Sequence, residues 1–399
     1  MRFRASDVAE ATGGILVGPD VSIDGVSFDS RSLVPGQLFV PIVADRDGHD
    51  FIVGAVGAGA PAYLTAGRID DAATAIRVPD TGVAFLDLGR WARGRVPDRV
   101  VGITGSVGKT SVKDFTKAVL ATRWRTAAND KSFNNDQGLP TTILNAPDDS
   151  EALVLEMGMR GFGEIARLCE VGRPTVGVVT RIAAAHTGRV GGIEGVARAK
   201  AELVESLAPT GCAVLNADDQ RALAMASRTD ARVITFGRDG GDVRVEDLHL
   251  DDEARARFVL ATPWGRTQVS LVVSGAHMAV NAAAAAAVGL VLDVALDDIG
   301  GALHGARLSP WRMEMLRSSG GGLVLNDAYN ANPASVRAAV AALLALPARR
   351  RIAVLGVMAE LDDPATEHRA LADEITAAGI ELIAVGTDLY GVAPVDLAS

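Results

Sequence analysis

The stretch VVGITGSVGKTS, residues 100–111, decides the fold of this chain. Its first five residues are typical of a buried strand, and Val112, Phe115 and Val119 follow at helical spacing. The glycines between strand and helix let backbone N–H groups close around an anion, and the helix N-terminus adds a favourable dipole. Lys109 would reach the terminal phosphates, and the Thr110 hydroxyl would hold Mg²⁺. The stretch therefore predicts a phosphate loop that binds ATP and Mg²⁺.

One position departs from the usual spacing of such a loop. A glycine is expected six residues before the lysine, and Ile103 stands there instead. A plain glycine-rich turn between strand and helix is therefore the alternative. The Gly-Lys-Thr run in this context favours a variant phosphate loop.

The pattern on either side of the loop predicts an α/β protein. Buried-strand runs at residues 100–103, 153–155, 176–179 and 213–215 alternate with helical patterns, as in a parallel sheet covered by helices. A turn-bounded, β-rich stretch from about 232 to 273 predicts an antiparallel appendage. A second α/β pattern has strands at 323–325, 352–355 and 382–385.

Length and spacing divide the chain into three expected domains. A chain of 399 residues is too long for one hydrophobic core. The first hundred residues carry short apolar segments and end in a polar stretch, 89–98, which we interpret as a linker. The predicted domains are a small N-terminal α/β domain at 1–96, a central parallel-sheet ATPase domain at 97–308 and a short, Rossmann-like C-terminal domain at 309–399.

Composition excludes several classes of protein. The formal balance of 39 basic and 49 acidic residues, net −10, opposes sequence-independent binding to nucleic acid. Cys169 and Cys212 lack the spacing of a zinc site or a disulfide framework. No stretch reaches the roughly 20 uninterrupted apolar residues of a membrane span. We expect a soluble, cytoplasmic monomer.

Further motifs extend well beyond the loop. In chain order they are Phe28-Asp-Ser-Arg, Asp47-Gly-His-Asp-Phe, Phe133-Asn-Asn-Asp-Gln-Gly-Leu-Pro, Glu156-Met-Gly, Ala184-Ala-His, Ala199-Lys-Ala-Glu-Leu, Asn216-Ala-Asp-Asp, Gly275-Ala-His, Asn326-Asp-Ala-Tyr-Asn-Ala-Asn-Pro and Leu355-Gly-Val-Met-Ala-Glu-Leu. With the loop, they make the chain resemble the Mur ligase family, collinearly from about residue 25 to 370. The Tyr-Asn-Ala-Asn-Pro run is far more specific than any single glycine motif.

The resemblance implies an ATP-dependent ligase that activates a carboxylate as an acyl phosphate and joins it to an amine. The substrates it implies are a UDP-N-acetylmuramoyl-peptide and D-alanyl-D-alanine, in peptidoglycan precursor synthesis. The N-terminal domain would bind the UDP-sugar and the central domain ATP.

Three residues are candidates for metal binding and catalysis beside the loop. Glu156 ends one predicted strand and His186 follows the next, so both should project at the carboxyl edge of the sheet. A solvated carboxylate and a structural histidine are the alternatives. Lys200 falls on the buried stripe of its helix, where its stem could lie along apolar surface while the amine reaches solvent. The resemblance implies instead that Glu156, His186, Thr110 and a carbamylated Lys200 bind Mg²⁺, with Lys109, His186 and Lys200 catalytic.

The resemblance also implies two groups of binding residues. Nucleotide would be bound by Gly105, Ser106, Gly108, Lys109, Thr110, Ser111, Asn281, Arg312 and Asp327. The other substrates would be bound by Ser30, Arg31, His49, Asn134, Asn135, Tyr329, Asn330 and Asn332. A surface ion pair for Arg312, a turn role for Asp327 and capping roles for the residues at 329–332 are the alternatives.

The chain departs from the family pattern at several positions. Arg181 and Met278 stand where asparagines are usual, and Val357 stands where an aspartate is usual. The sequence also stops at Ser399, before the family's last strand, which we expect to make the C-terminal domain smaller and more exposed at one edge. A different acceptor amine, or a non-catalytic paralogue that binds nucleotide or UDP-sugar, therefore remains an alternative. The retained phosphate-transfer residues argue against the second.

Overall fold

The computed structural model describes residues 1–67, 69, 73–129, 133–183, 190–359 and 361–396. Short strands and three α-helices make up the N-terminal hundred residues. They are β1 (Arg2–Arg4), α1 (Ala5–Thr12), β2 (Ile15–Val17), β3 (Ser22–Asp24), β4 (Val26–Ser27), β5 (Leu38–Phe39), a 3-10 helix (Gly48–Phe51), α2 (Ile52–Gly57), β6 (Ala62–Thr65), β7 (Thr74–Arg77) and α3 (Thr81–Arg93).

Strands and helices alternate through the middle of the chain. They are β8 (Val100–Thr104), α4 (Lys109–Leu120), β9 (Thr126–Ala128), α5 (Gly138–Leu144), β10 (Ala152–Glu156), α6 (Glu164–Gly172), β11 (Val176–Val179), α7 (Gly192–Glu205), β12 (Cys212–Asn216), α8 (Gln220–Ala224), a 3-10 helix (Met225–Arg228) and β13 (Arg232–Gly237).

Three long strands and two helices precede the C-terminal α/β segment. The remaining elements are β14 (Val243–Leu250), β15 (Arg255–Thr262), β16 (Gly265–Ser274), α9 (His277–Val291), α10 (Leu296–Gly305), β17 (Glu314–Arg317), β18 (Leu323–Asn326), α11 (Pro333–Ala345), β19 (Ile352–Leu355), α12 (Pro364–Ala377) and β20 (Glu381–Ala384). Among the described residues, no helix has both the length and the apolar character needed to cross a membrane.

The first of two compact units comprises residues 1–102, 124–158 and 164–176. Its five-stranded sheet has the order β2-β7-β6-β5-β4, in which only β2 is antiparallel to its neighbour. All four residues of β6 are buried, as expected for a strand covered on both faces. Strands β9 and β10 form a further parallel pair in this unit.

The second unit comprises residues 103–123, 159–163 and 177–399. Its strands follow the order β16-β15-β14-β13-β12-β11. The pairs β12–β13 and β13–β14 are parallel, and β14, β15 and β16 form an antiparallel meander. Helix α9 packs on α4 and on this sheet through six consecutive buried alanines, Ala282–Ala287, whose small side chains allow a close approach.

The C-terminal part of the second unit has little sheet of its own. Strands β17 and β18 pair antiparallel, and β19 and β20 pair parallel. Helices α11 and α12 cover a core that includes Leu371, Ile375 and Tyr390. Val354 on β19 is 60% exposed and Val324 on β18 is 45% exposed.

The α/β prediction and the four central strands are confirmed. The antiparallel appendage is also present, but it begins later than predicted, because Arg232–Gly237 pairs parallel with β12. The C-terminal strands form within one residue of their predicted ends. The domain boundaries at 1–96, 97–308 and 309–399 stay a prediction.

The predicted linker at 89–98 is wrong over its first half. Residues 89–93 are the last residues of α3, and Arg93 is only 1% exposed. Its guanidinium donates to the carbonyls of Gly172 and Val96 at 2.8 Å each and to the Asp98 carboxylate at 2.9 Å. Burial nevertheless lowers the pKa of Arg93. An arginine whose donors are satisfied in this way can occupy the interior, which the polar sequence does not reveal.

Candidate active site

The backbone at residues 104–110 forms a cradle that a side chain at Gly105 would destroy. Gly105 has φ 147°, and a Cβ there would lie 1.9 Å from Thr180 Oγ1. Thr180 holds the loop from β11, because its hydroxyl donates to the Val107 carbonyl at 2.6 Å. The Ser106 N–H donates to the Arg181 carbonyl at 2.7 Å, and the Ser106 hydroxyl donates to the Ala183 carbonyl at 2.9 Å. The loop is thus pinned to the end of β11.

Gly108 brings the start of α4 close to α9. It has φ 85° and is the N-cap of α4, and a Cβ there would lie 2.8 Å from Asn281 Oδ1. The Asn281 amide donates to the sulfur of Met278 at 3.6 Å, and Met278 is buried. Met278, which replaces a usual asparagine, therefore supports Asn281 through its sulfur and its packing.

The cations and hydroxyls predicted for phosphate binding converge on this loop. Lys109 Nζ donates to the Gly105 carbonyl at 2.9 Å, across the loop that would surround an anion. Thr110 and Ser111 are each 5% exposed, in the first turn of α4. Two glycines without room for a Cβ, a helix N-terminus and a lysine make a cradle that fits a polyphosphate.

Arg312 reaches the same loop from the segment after α10. Its Nη2 donates to Thr110 Oγ1 at 3.3 Å, and its Cζ lies 4.1 Å from the centre of the Tyr329 ring. The Arg312 Nε is buried and has no hydrogen-bond partner among the described residues. The arginine is therefore not the surface ion pair that was its alternative, and one buried donor is available to a ligand.

Asp327 lies at the end of β18 beside this arginine. Its Oδ1 accepts the Met313 N–H at 3.1 Å. Burial raises the pKa of Asp327 to about 6, against the opposing effects of the Met313 N–H and of Arg312. A partly desolvated carboxyl that interacts electrostatically with a nearby cation is a common feature of functional sites.

His277 opens α9 in the Gly275-Ala-His motif. Burial lowers the pKa of His277 to about 4, so the ring is neutral at pH 7. A Cβ on Gly275, which has φ 107°, would lie 2.6 Å from the His277 ring. The motif therefore fits a packed, uncharged histidine beneath the 309–313 segment, where Met313 also approaches Gly275.

Glu156 forms its own polar cluster in the first unit. It is 2% exposed at the end of β10, so the alternative of a solvated carboxylate is wrong. Asn134 donates to Glu156 Oε1 at 2.8 Å, and the Glu156 N–H donates to Asn129 Oδ1 at 3.1 Å. Asn129 also donates to the Phe133 carbonyl at 3.1 Å, which fixes the double-asparagine segment. A buried carboxylate with an oriented oxygen is the type of donor that Mg²⁺ prefers.

Lys200 is buried on α7 in the second unit, as the helical pattern predicts. It is 2% exposed, so an amine that reaches solvent is excluded, and it has polar contacts. Another proposed metal ligand, His186, lies outside the described residues. Among the described residues, no group of three or more His, Cys, Asp or Glu side chains is arranged to hold a metal ion. Carbamylation of Lys200 stays a prediction.

The three N-terminal candidates differ in how far their side chains are already engaged. Ser30 is half-buried in a turn. Arg31 is exposed and pairs with Asp29 at 2.7 Å. His49 bridges two backbone segments, because its Nδ1 contacts Asp47 Oδ1 at 2.6 Å and its Nε2 accepts the Ala66 N–H at 3.1 Å.

Three predicted asparagines serve as caps or local turn residues. Asn332 is the N-cap of α11, where its Oδ1 accepts the Ser335 N–H at 3.0 Å. Asn135 accepts the Gly138 N–H at 2.9 Å at the start of α5. Asn330 accepts the N–H of the next residue at 3.0 Å. Each of these oxygens accepts a backbone N–H, and the side-chain NH₂ groups remain as donors for a substrate contact.

Sequence reasoning missed Thr180, Asn129 and Asp114. Thr180 and Asn129 were unremarkable single residues between motifs, and their roles depend on pairings across 73 and 27 positions of sequence. Asp114 accepts the Ser309 N–H from 195 positions away. No local signal identifies partners at such separations.

Two family models match the chain. One describes the Mur ligase middle domain and matches residues 103–289, and the other describes the Mur ligase glutamate ligase domain and matches residues 311–399. The chain is 35% identical to the UDP-N-acetylmuramoyl-tripeptide–D-alanyl-D-alanine ligase of Escherichia coli K12, over 97% of this chain and 86% of that protein. It is 38% identical to the ligase of the same name from Mycobacterium tuberculosis H37Rv, over 92% of this chain and 80% of that protein.

Solved structures agree with these sequence matches. A crystal structure of MurF from Acinetobacter baumannii superposes with a TM-score of 0.89 at 29% identity, covering 97% of this chain and 86% of that one. MurF ligase from Thermotoga maritima in complex with ADP gives a TM-score of 0.81 at 27% identity, covering 92% of this chain and 85% of that one.

Proposed function

The chain belongs to the Mur ligase family, and on that basis we propose that it couples a UDP-N-acetylmuramoyl-tripeptide to D-alanyl-D-alanine at the expense of ATP. The substrate carboxylate takes the γ-phosphoryl group from ATP and releases ADP. The amine of the dipeptide then attacks the acyl phosphate, the amide bond forms, and inorganic phosphate and a proton leave. The enzyme is an ATP-dependent ligase that forms a C–N bond and uses Mg²⁺.

The observation that carries this proposal is the cradle of the phosphate loop. A Cβ at Gly105 or at Gly108 would collide with Thr180 or Asn281, so only glycine allows the backbone to follow this path around the loop. Phosphoryl transfer needs little covalent help from protein, because positioning and charge neutralisation dominate. Lys109 supplies charge to the transferred group, and Arg312 brings a second cation to the loop.

We propose that the remaining candidates keep the roles that the sequence suggested. Asn281 and Asp327 would contact the nucleoside. Thr110, Glu156, His186 and a carbamylated Lys200 would be the Mg²⁺-binding residues, and the metal would neutralise charge on the phosphates. Asn134 would orient Glu156, in line with its 2.8 Å hydrogen bond.

The substrate residues are proposals of the same kind. Ser30, Arg31 and His49 would contact the UDP-sugar. Asn135, Tyr329, Asn330 and Asn332 would line the binding site of the other substrates. We also propose a cytoplasmic location, which fits two buried cysteines that form no disulfide with each other.

The test is phosphate release from MgATP with the UDP-linked tripeptide, with and without D-alanyl-D-alanine, followed by mass analysis of the product. We expect phosphate release to require both substrates and the product to be the pentapeptide nucleotide. Lys109→Ala should lower the rate at least about 100-fold, because it removes a cation from the developing charge. Lys117→Ala is the matched control, since Lys117 is exposed on the same helix.

Other results would select among the alternatives. Phosphate release that requires a different amine would identify another acceptor. Nucleotide binding without release under any acceptor would indicate the non-catalytic paralogue.

A further inference from the structure

The segment 309–313, which precedes β17, is held at both ends by buried or half-buried carboxylates. The Ser309 N–H donates to Asp114 Oδ2 at 2.7 Å, and the Met313 N–H donates to Asp327 Oδ1 at 3.1 Å. Between these anchors the backbone is strained, because Trp311 has φ 62° and Met313 has φ 52°. Large side chains rarely adopt this conformation, and it persists only where the surroundings enforce it.

Asp114 is a fixed anchor. Its side chain is 11% exposed, and its second oxygen lies 3.1 Å from Lys113 Nζ, whose side chain is 3% exposed. A buried carboxylate with partners on both oxygens has little freedom to move. The bond to Ser309 therefore fixes where the 309–313 segment leaves the surface of α4.

The same segment contacts α4 at a second point, through Arg312. Asp114 and Thr110 are four residues apart, so they lie on one face of the helix, one turn from each other. Arg312 Nη2 donates to Thr110 Oγ1 at 3.3 Å, and the Arg312 Cζ lies 4.1 Å from the centre of the Tyr329 ring. The segment thus contacts one helix face at Ser309 and, three residues later, at Arg312.

Arg312 also retains a donor for a ligand. Its Nε is buried and has no hydrogen-bond partner in the part of the chain that the structure describes. An unpaired buried donor is costly unless an acceptor arrives. In this setting the acceptor would be an oxygen of a bound nucleotide.

We propose that Asp114 is a positioning residue for nucleotide binding, which acts by holding Ser309 so that Arg312 reaches the phosphate loop. The proposal rests on the nucleotide site of the proposed function. It does not depend on the identity of the amine or of the UDP-linked substrate, and Asp114 itself does not touch the nucleotide.

The test is a double-mutant cycle on the full chain, with the affinity for MgADP measured by calorimetry. Arg312→Ala should weaken binding about 30-fold and Asp114→Ala about tenfold, as expected for losing a charged hydrogen bond directly or in part. If Asp114 acts through Arg312, the double variant should bind within about twofold of Arg312→Ala alone. Effects that multiply in the double variant would overturn the proposal.

Two further variants separate positioning from folding. Asp114→Asn keeps an oxygen that can accept the Ser309 N–H, so it should lose less MgADP affinity than Asp114→Ala. If Asp114→Ala does not fold, Asp114→Asn takes its place in the double-mutant cycle. Asp297→Asn removes an exposed carboxyl from α10 and should leave affinity unchanged. A purely structural Asp114 would lower the melting temperature and leave the MgADP affinity of the folded protein unchanged, which would also refute the proposal.

MgADP affinity is measured without either ligase substrate, so the two proposals can fail separately. If positions 114 and 312 are coupled but the protein forms no amide, the positioning role is supported and the proposed ligase substrates are excluded. Amide formation without coupling would keep the ligase and exclude the positioning role. A wild-type chain that does not bind MgADP would overturn the inference itself.

Discussion

Asp327 should make the folded protein less stable at neutral pH than at acid pH, and Asp327→Asn should remove that loss. Burial raises the pKa of this carboxyl from 3.8 to about 6. The folded state therefore holds the proton more tightly than the unfolded state does. The amide of the variant has no charge to bury, and its oxygen can still accept the Met313 N–H.

The size of the effect follows from the two pKa values. Each pH unit between them is worth about 1.4 kcal/mol, so complete ionisation costs the folded state up to about 3 kcal/mol. Below pH 3.8 the carboxyl is protonated in both states and costs nothing. As the pH rises from about 4 to about 6, the free energy of unfolding falls, and above about 6 this contribution is constant.

The assay is urea unfolding of wild type and Asp327→Asn at a series of pH values from about 4 to about 7.5. The stability advantage of the variant should grow across the lower part of this range and then level off. Asp297→Asn, at an exposed carboxyl, supplies the control for general effects of charge. Parallel stability curves for wild type and Asp327→Asn would refute the reasoning. The stabilised variant should also bind MgADP more weakly, because a residue that costs stability at a binding site is expected to contribute there.

Two other substitutions test the buried basic residues Lys200 and Arg93. Lys200→Ala should lower the rate of phosphate release about 100-fold or more if a carbamate at this position contributes an oxygen ligand. Added acetate should then restore part of the rate. Restoration by methylammonium instead would indicate that the uncarbamylated ammonium is the active form. Arg93→Met should lower the free energy of unfolding by about 2–4 kcal/mol, because the carbonyls of Gly172 and Val96 lose their donor. Urea unfolding checks this, MgADP affinity should not change, and undiminished stability would contradict it.

The strand, glycines and helix of the phosphate loop could be predicted from the sequence because they are local, whereas its support by Thr180 could not. A buried strand, two glycines in conformations that a Cβ would forbid, and a helix that starts at Lys109 follow one another within about a dozen residues. The buried position of Lys200 was equally predictable, since helical spacing alone places it between Val196 and Leu203.

Pairings between distant residues could not be predicted in the same way. The polar residues at 89–93 indicated a linker, yet the carbonyl that receives Arg93 comes from Gly172, 79 positions away. The motifs predict His49 and Asn332 as substrate residues, and in the structure His49 Nε2 and Asn332 Oδ1 each accept a backbone N–H. A motif indicates that a residue type is needed, whereas the fold determines which of its polar atoms already form hydrogen bonds within the protein.

Helix α4 connects these observations. Its N-terminus faces the loop, Thr110 lies in its first turn, and Asp114 follows one turn later on the same face. One helix of twelve residues therefore carries both the phosphate-loop contact at Thr110 and the Ser309 contact at Asp114. A nucleotide that takes the Thr110 hydroxyl from Arg312 would leave the arginine attached to a segment that Asp114 still holds. The backbone strain at Trp311 and Met313 is the local cost of holding Arg312 at this position.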